Sequence, residues 1–178
     1  MTFETERLIL RPWRETDAPA LYKYASDPDV GPSAGWAAHK DVEDSRNVIR
    51  TVLSAEGTFA VIVKENGDET VGSIGYFETD ANDRRETELG YWIARPFWGR
   101  GYIPEAMDCL MEHLFTEKGA KRLWCAHFDF NAKSRRVVEK CGFHHEFLRV
   151  TQWPAVGKKY LTHFYSVFAA EWRSKKGK

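Results

Sequence analysis

Residues 88 to 105, ELGYWIARPFWGRGYIPE, pass from a strand pattern through a glycine-bearing loop into a helical pattern. A helix entered this way presents its first backbone N–H groups, which have no intrahelical partner, to whatever lies in the loop. Gly99 and Gly101 lack Cβ atoms and take positive φ without strain, so successive amides converge on one point and a ligand approaches the backbone closely. Pro104 fits the first helical turn, where its missing donor costs no bond. The stretch is an anion cradle, and two known phosphate loops are excluded. A Walker loop needs GxxxxGK followed by Ser or Thr, whereas Gly101 is followed by Tyr102 with no lysine near. The dinucleotide pattern GxGxxG needs glycine where Pro104 stands, and an acidic residue about 20 positions on after a second strand.

A single domain over residues 1–178 is expected, because 178 residues with 43% hydrophobic content and 14% aromatics suffice for a sizeable core. Twenty-six basic residues balance twenty-six acidic ones, which argues against a general binder of nucleic acid or acidic lipid. No run of about 18 apolar residues occurs and MTFETERL has no apolar signal core, so no membrane span is expected and the cytoplasm is the expected compartment. Cys109, Cys125 and Cys141 are far apart in apolar surroundings, as suits reduced core thiols rather than a disulfide framework. His144 and His145 are adjacent and point to opposite faces of a strand, so no metal is expected.

In chain order, residues 7–13 read as a first strand, and Thr16 or Asp17 caps a helix carrying Pro19 in its first turn. Residues 27–39 form a Pro- and Gly-punctuated loop, and a second helix runs from about Lys40 until Gly57 closes it. TFAVIVKE and TVGSIGYFE, joined through Asn66, Gly67 and Asp68, predict a hairpin. A polar loop at 80–85 leads to ETELGYWI as a third antiparallel strand. A helix from about Pro104 to Lys118 carries Met107, Leu110, Met111, Leu114 and Phe115 on one stripe, with Gly119 as its stop. RLWCAHF, residues 122–128, is the next strand; because a helix crosses between it and ETELGYWI, the two can lie parallel. Asn131 opens a short helix ending at Cys141 and Gly142. HEFLRVTQW and HFYSVFAAEW then pair around PAVGKK, leaving a frayed polar tail, residues 172–178. The order gives an α+β fold around one mixed, mostly antiparallel sheet flanked by helices.

PFWGRG at 96–101 resembles the pyrophosphate loop of the GNAT superfamily of N-acetyltransferases, in which Gln or Arg, two residues, Gly, one residue, then Gly or Ala recur. Pro96 departs from that general pattern, but PxxWGxGY followed by EA is similar to the branch of the ribosomal-protein-alanine N-acetyltransferases RimJ and RimL. NxxS followed by EKxGF, residues 131–143, is a second such signature. The resemblance covers nearly the whole chain and implies the GNAT fold, with ETELGYWI and RLWCAHF splaying apart after Trp92 to hold the pantetheine arm of acetyl-CoA.

The site implied by that resemblance takes its donor through backbone groups of Trp92, Ile93 and Ala94 and through the loop Trp98, Gly99, Arg100, Gly101 and Tyr102, with Asn131 on the pantetheine arm. An amide from Ile93 polarises the thioester oxygen as negative charge develops there. The acceptor amine attacks directly, so a base is needed rather than a cysteine nucleophile. An α-amino group of pKa about 7.8 is roughly one-seventh neutral at pH 7, whereas a lysine of pKa about 10.4 is neutral about once in 2,500 molecules. Glu86 and Glu88 share one strand face, and either can collect the proton; the family pattern favours Glu88. Ser134 is the expected partner of the leaving thiolate. Trp36 and Trp153 either wall the acceptor pocket or are core packing, and the basic clusters KRLW and KSRR are candidates for the 3′-phosphate. The activity implied is acetyl transfer from acetyl-CoA to a primary amine, of a protein N-terminus or a small molecule, by a monomer or homodimer with no nucleic-acid or membrane partner. The alternative is a non-catalytic acyl-CoA-binding sensor module of the same fold.

Overall fold

The computed structural model describes residues 1–79 and 86–177, and the expected loop at 80–85 lies outside the described residues. The strands are β1 (Phe3–Glu4), β2 (Leu8–Arg11), β3 (Thr58–Val63), β4 (Thr70–Thr79), β5 (Glu86–Ile93), β6 (Arg122–Phe128), β7 (His144–Trp153) and β8 (Lys158–Phe168). The helices are α1 (Ala18–Ala25), α2 (Val42–Val48), α3 (Tyr102–Thr116), α4 (Ala132–Lys140) and α5 (Ala169–Lys176). The strands form one sheet in the order β1-β2-β3-β4-β5-β6-β8-β7. Every neighbouring pair is antiparallel except β5 and β6, which are joined by the crossover helix α3 and lie parallel.

Burial explains the layering. TFAVIV in β3 is buried at nearly every position, as an apolar run covered on both faces must be. On one face, the stripe of Met107, Leu110, Met111, Leu114 and Phe115 on α3 packs into the main core with Leu8, Leu10, Leu89, Leu123 and Val138. On the other, Leu21 and Ala25 of α1 and Ile49 after α2 meet Trp13, Ala60 and Ile62. Gly67, Gly119 and Gly142 hold the positive φ that the hairpin and the two helix stops require.

Several boundaries differ from the sequence-based expectation. α3 starts at Tyr102, two residues before Pro104, because Gly101 at φ +80° is itself the residue preceding the first turn. A two-residue strand, β1, precedes the expected first strand and pairs with it. The second helix is regular only to Val48 and continues as a π turn over Ile49–Leu53. AAEW is not strand: β8 starts at Lys158, and α5 begins at Ala169, where Glu171 accepts from the Phe168 N–H at 2.9 Å. The expected tail is therefore largely helix, with Trp172 8% exposed against Phe115 and Lys176 bonded to Asp108 at 2.6 Å. The three cysteines are free, and burial raises their thiols, that of Cys141 up to about 12.

Asp17 does not cap α1 with its side chain. Its carboxylate forms a two-pronged pair with the buried Arg11 guanidinium, both contacts at 2.8 Å, and also accepts from the Arg14 N–H. Removing one member strands the other's charge inside the protein. Asp17→Ala is expected to lower unfolding free energy by about 3–5 kcal/mol in urea titrations; a loss below about 1 kcal/mol, the scale of an exposed pair, would refute the buried-pair assignment.

Candidate active site

The parallel pairing of β5 with β6 runs only from Thr87↔Leu123 to Leu89↔Cys125. The strands therefore part three residues earlier than the expected opening after Trp92. Gly90 to Ile93 on one side and Ala126 to Phe128 on the other then line a cavity of about 1160 Å³. That exceeds the roughly 300–1,000 Å³ of an ordinary small-molecule pocket.

Alternation along β5 decides which backbone groups open into the gap. The Ala94 N–H donates to Val71 O at 2.8 Å, and from there the β4 register pairs Trp92 with Ser73 and Gly90 with Gly75. In an antiparallel ladder the hydrogen-bonded pairs alternate, so Trp92 and Ala94 turn their polar groups to β4 while Tyr91 and Ile93 turn theirs to the gap. This corrects the expectation for Trp92 and Ala94: Ala94 is fully buried and its donor is already used, and only the side chain of Trp92 remains available to the cavity. The Ile93 carbonyl accepts from Trp98 Nε1 at 2.7 Å, which fixes the indole at the cavity wall and leaves the Ile93 N–H for the gap.

The glycine loop sits at the mouth of this opening. Gly99 and Gly101 have φ of +76° and +80°. The first helical bond at this end of α3 is Glu105 N–H to Gly101 O, 3.2 Å, so the earlier amides lack one. Glu105 secures the loop from behind: its carboxylate binds Arg7 Nε at 2.7 Å and the Arg7 N–H at 2.9 Å, while Arg7 Nη1 donates to Arg100 O at 3.0 Å. Arg100 thus contributes its carbonyl to loop stability, and its side chain lies toward Phe97 rather than along the cavity. A Cβ at Gly99 would meet nothing within 4 Å and one at Gly101 only Arg7 Nη2 at 3.5 Å, so backbone conformation rather than crowding selects glycine. From α4, Lys133, Arg136 and Lys140 line the same cavity, and Lys133 Nζ stands 3.7 Å from the Trp98 ring centre. The KRLW cluster is elsewhere: Arg122 pairs with Glu146 at 2.8 Å and covers Trp124.

Ser134 and Asn131 both line the cavity. The Asn131 Oδ1 accepts from the Ser134 N–H at 3.0 Å, and its Nδ2 donates to Ser33 O at 3.1 Å, so this side chain starts α4 and latches the loop after α1. The Ser134 Oγ lies 2.7 Å from the Tyr91 hydroxyl. Tyr91 is the functional candidate that the sequence reading missed. Its only sequence signal is its place between Leu89 and Ile93 on the gap-facing backbone set. Burial holds its phenol well above the usual range, so it remains a proton donor at neutral pH.

The two strand acids separate. Glu86 accepts from Trp124 Nε1 and does not line the cavity. Glu88 lines it, and burial raises its carboxyl against the lowering effects of the Thr79 hydroxyl and Arg149. Trp153 reaches the cavity wall, whereas Trp36 stands behind it, edge-on to Trp92 at 5.6 Å, as packing. Among the described residues no cluster of three or more metal-ligating side chains occurs, and no helix is long and apolar enough to cross a membrane.

A mixed sheet opened beside a helix N-terminus, with an acid on one wall and a hydroxyl pair on the other, defines a group-transfer site. Residues 7–144 match the family model of the acetyltransferase (GNAT) domain, and the chain belongs to that family. It is similar to the uncharacterized N-acetyltransferase p20 of Bacillus licheniformis, 32% identical over 176 residues, covering 96% of this chain and 98% of that protein. The solved GNAT-family acetyltransferase of Bacillus anthracis superposes with a TM-score of 0.82 at 25% identity, over 96% of this chain and all 100% of that one. The microcin C7 self-immunity acetyltransferase MccE, solved with acetyl-CoA and AMP, shares the fold at a TM-score of 0.77 and 20% identity, over 92% and 93% of the two chains.

The raised Glu88 carboxyl has a thermodynamic consequence. The folded state holds this proton more tightly than the unfolded chain, so the stabilisation is present in acid and lost as pH rises through the folded value. Glu88→Gln is therefore expected to raise the melting temperature relative to the parent at pH 7 and to raise it less at pH 4. Melting curves showing a pH-independent gap, or one that narrows toward neutrality, would refute burial as the cause.

Proposed function

We propose that the protein transfers the acetyl group of acetyl-CoA to a primary amine by direct attack, in the cytoplasm. One observation carries the proposal: the opening between β5 and β6, the N-terminus of α3 and Glu88 all face a single cavity. The pantetheine arm lies in the opening as a pseudo-strand against the gap-facing backbone of Tyr91 and Ile93. The pyrophosphate rests on the amides from Gly99 to Ile103, with Lys133, Arg136 and Lys140 supplying positive charge from α4. The complex of MccE with acetyl-CoA supports that molecule as the donor for this fold. The likeness of the loop to the RimJ/RimL branch keeps a protein N-terminus among the acceptors.

In the reaction the amine nitrogen attacks the thioester carbon, and the Ile93 N–H stabilises the oxygen as it gains charge. Glu88, directly or through water, collects the proton released by the nitrogen. Collapse of the adduct breaks the C–S bond, and the departing thiolate takes a proton or hydrogen bond from Ser134. The Tyr91 hydroxyl, 2.7 Å from Ser134 Oγ, is within reach to return a proton to the serine as the sulfur takes one. A sensor module would have no need of an acid and a hydroxyl pair on opposite walls of the donor cavity.

Glu88→Gln is expected to lower kcat/KM by about 100-fold near neutral pH, the usual scale of general-base catalysis. The loss should shrink as pH rises and the acceptor becomes neutral unaided, while CoA affinity persists. Thiol release against pH for the parent, Glu88→Gln and Glu86→Gln tests this; full activity in Glu88→Gln with loss in Glu86→Gln would move the base two residues along the strand. Acetyl-CoA at about 100 times its dissociation constant is expected to stabilise the fold by about 2.7 kcal/mol. Thermal unfolding with ATP and with acetyl-CoA checks the donor, and protection by ATP alone would overturn it.

A further inference from the structure

Beyond Glu88 the cavity changes character. Phe77 is directly opposite Glu88 across the β4 and β5 ladder, and a Cβ at Gly90 would come within 3.1 Å of its ring. The ring therefore lies over the glycine on the face that carries the acid. From the far side of the gap, Phe128 anchors an aromatic cluster, with Trp153 edge-on at 5.0 Å, Tyr160 at 4.5 Å and Phe130 at 5.5 Å between ring centres. Phe77 and Phe130 line the cavity yet are 53% and 58% exposed. A large ring held open to solvent directly opposite the Glu88 carboxyl is surface that a ligand covers, whereas Phe130, six residues beyond the Trp124 that pairs with Glu88, lines a more distant part of the cavity.

The charges lining the cavity narrow what that ligand is. Among the described residues its acidic lining is Glu88 and Asp29, and Asp29 is paired with Arg95 Nη1 at 2.9 Å. Its basic lining is Lys133, Arg136 and Lys140, and Arg149 acts on Glu88 from β7. A polycation would bring ammonium groups for which the described residues of this wall hold no further free carboxylate, whereas a single amine needs only Glu88. We infer that the acceptor is a monoamine with an apolar, preferably aromatic, body next to its nitrogen, seated against Phe77 while Glu88 receives its proton. The inference rests on the acetyltransferase reading above and adds to it the chemical class of the acceptor.

Thiol release at saturating acetyl-CoA tests the class, with phenethylamine, ethylamine, spermidine and kanamycin as acceptors alongside short peptides beginning with Phe or with Gly. Phenethylamine is expected to exceed ethylamine by about tenfold or more in kcat/KM, the discrimination an apolar pocket ordinarily gives, and to exceed both polyamines. Phe77→Ala is expected to raise KM for phenethylamine by about 3- to 10-fold, the scale of one aromatic contact, with acetyl-CoA affinity and the ethylamine rate little changed, and Phe130→Ala to leave that KM unaltered. A gain for the Phe peptide over the Gly peptide that exceeds the gain for phenethylamine over ethylamine identifies a polypeptide N-terminus as the source of the amine, and a smaller one identifies a free arylalkylamine; either supports the class, and a Gly peptide outrunning the Phe peptide overturns it. Spermidine or kanamycin outrunning phenethylamine overturns it, as does an aromatic preference that survives Phe77→Ala. Failure of every amine while acetyl-CoA still binds overturns the transferase reading itself, an outcome distinct from turnover without aromatic preference.

Discussion

The site depends on a sheet that stops pairing in its middle. After Leu89 and Cys125, β5 and β6 leave the alternate backbone groups of one strand facing a cavity instead of a neighbour. Unpaired strand groups are costly when dry and invite another extended chain to complete the ladder. An acyl-pantetheine arm, with amides at intervals along an extended tether, meets that demand. The parallel sense of the pair matters equally, because the crossover helix that makes it possible begins at the exit of β5 and places its N-terminus beside the opening.

Around this opening, the structure keeps a cluster of basic side chains apart from the buried carboxyl of Glu88. Lys133, Arg136 and Lys140 lie on α4, next to the loop of Gly99 and Gly101, and Arg7 is held by Glu105 behind that loop. Glu88 stands on the other side of β5, where burial raises its carboxyl. Had a lysine paired with Glu88 directly, the carboxylate would have been a weaker base. Tyr91 and Ser134 occupy the opposite wall, so the carboxyl and the hydroxyl pair are separate groups of the same cavity.

Rigidity is concentrated around the glycine loop and the mouth of the cavity. The Arg7–Glu105 contacts tie the start of the sheet to the first turn of α3, and Trp98 is fixed by its bond to Ile93 O. Asn131 binds the loop after α1 to the start of α4, while Arg95 holds Asp27 at 3.0 Å and Asp29 at 2.9 Å from the other side. The loop after α1 is thereby positioned against the cavity by two residues, Asn131 and Arg95.

Much of this arrangement is legible in the chain itself, because local patterns carry it. Period-two apolar runs give the strands, the stripe on α3 gives its buried face, and the spacing of Gly99 and Gly101 before Pro104 marks an amide cradle. Glu86 and Glu88 share a strand face by the same period. What the chain does not reveal is set by register and convergence. Whether Trp92 or Ile93 offers its amide depends on where β4 begins to bond β5. Glu86 is diverted by Trp124, a residue 38 positions away that the parallel register brings beside it. Tyr91 meets Ser134 across a gap of 43 positions, and the choice of Trp153 over Trp36 at the wall follows from the folding of β7 back onto β8. Such pairings rest on contacts between distant segments, which leave no periodic trace in either segment alone.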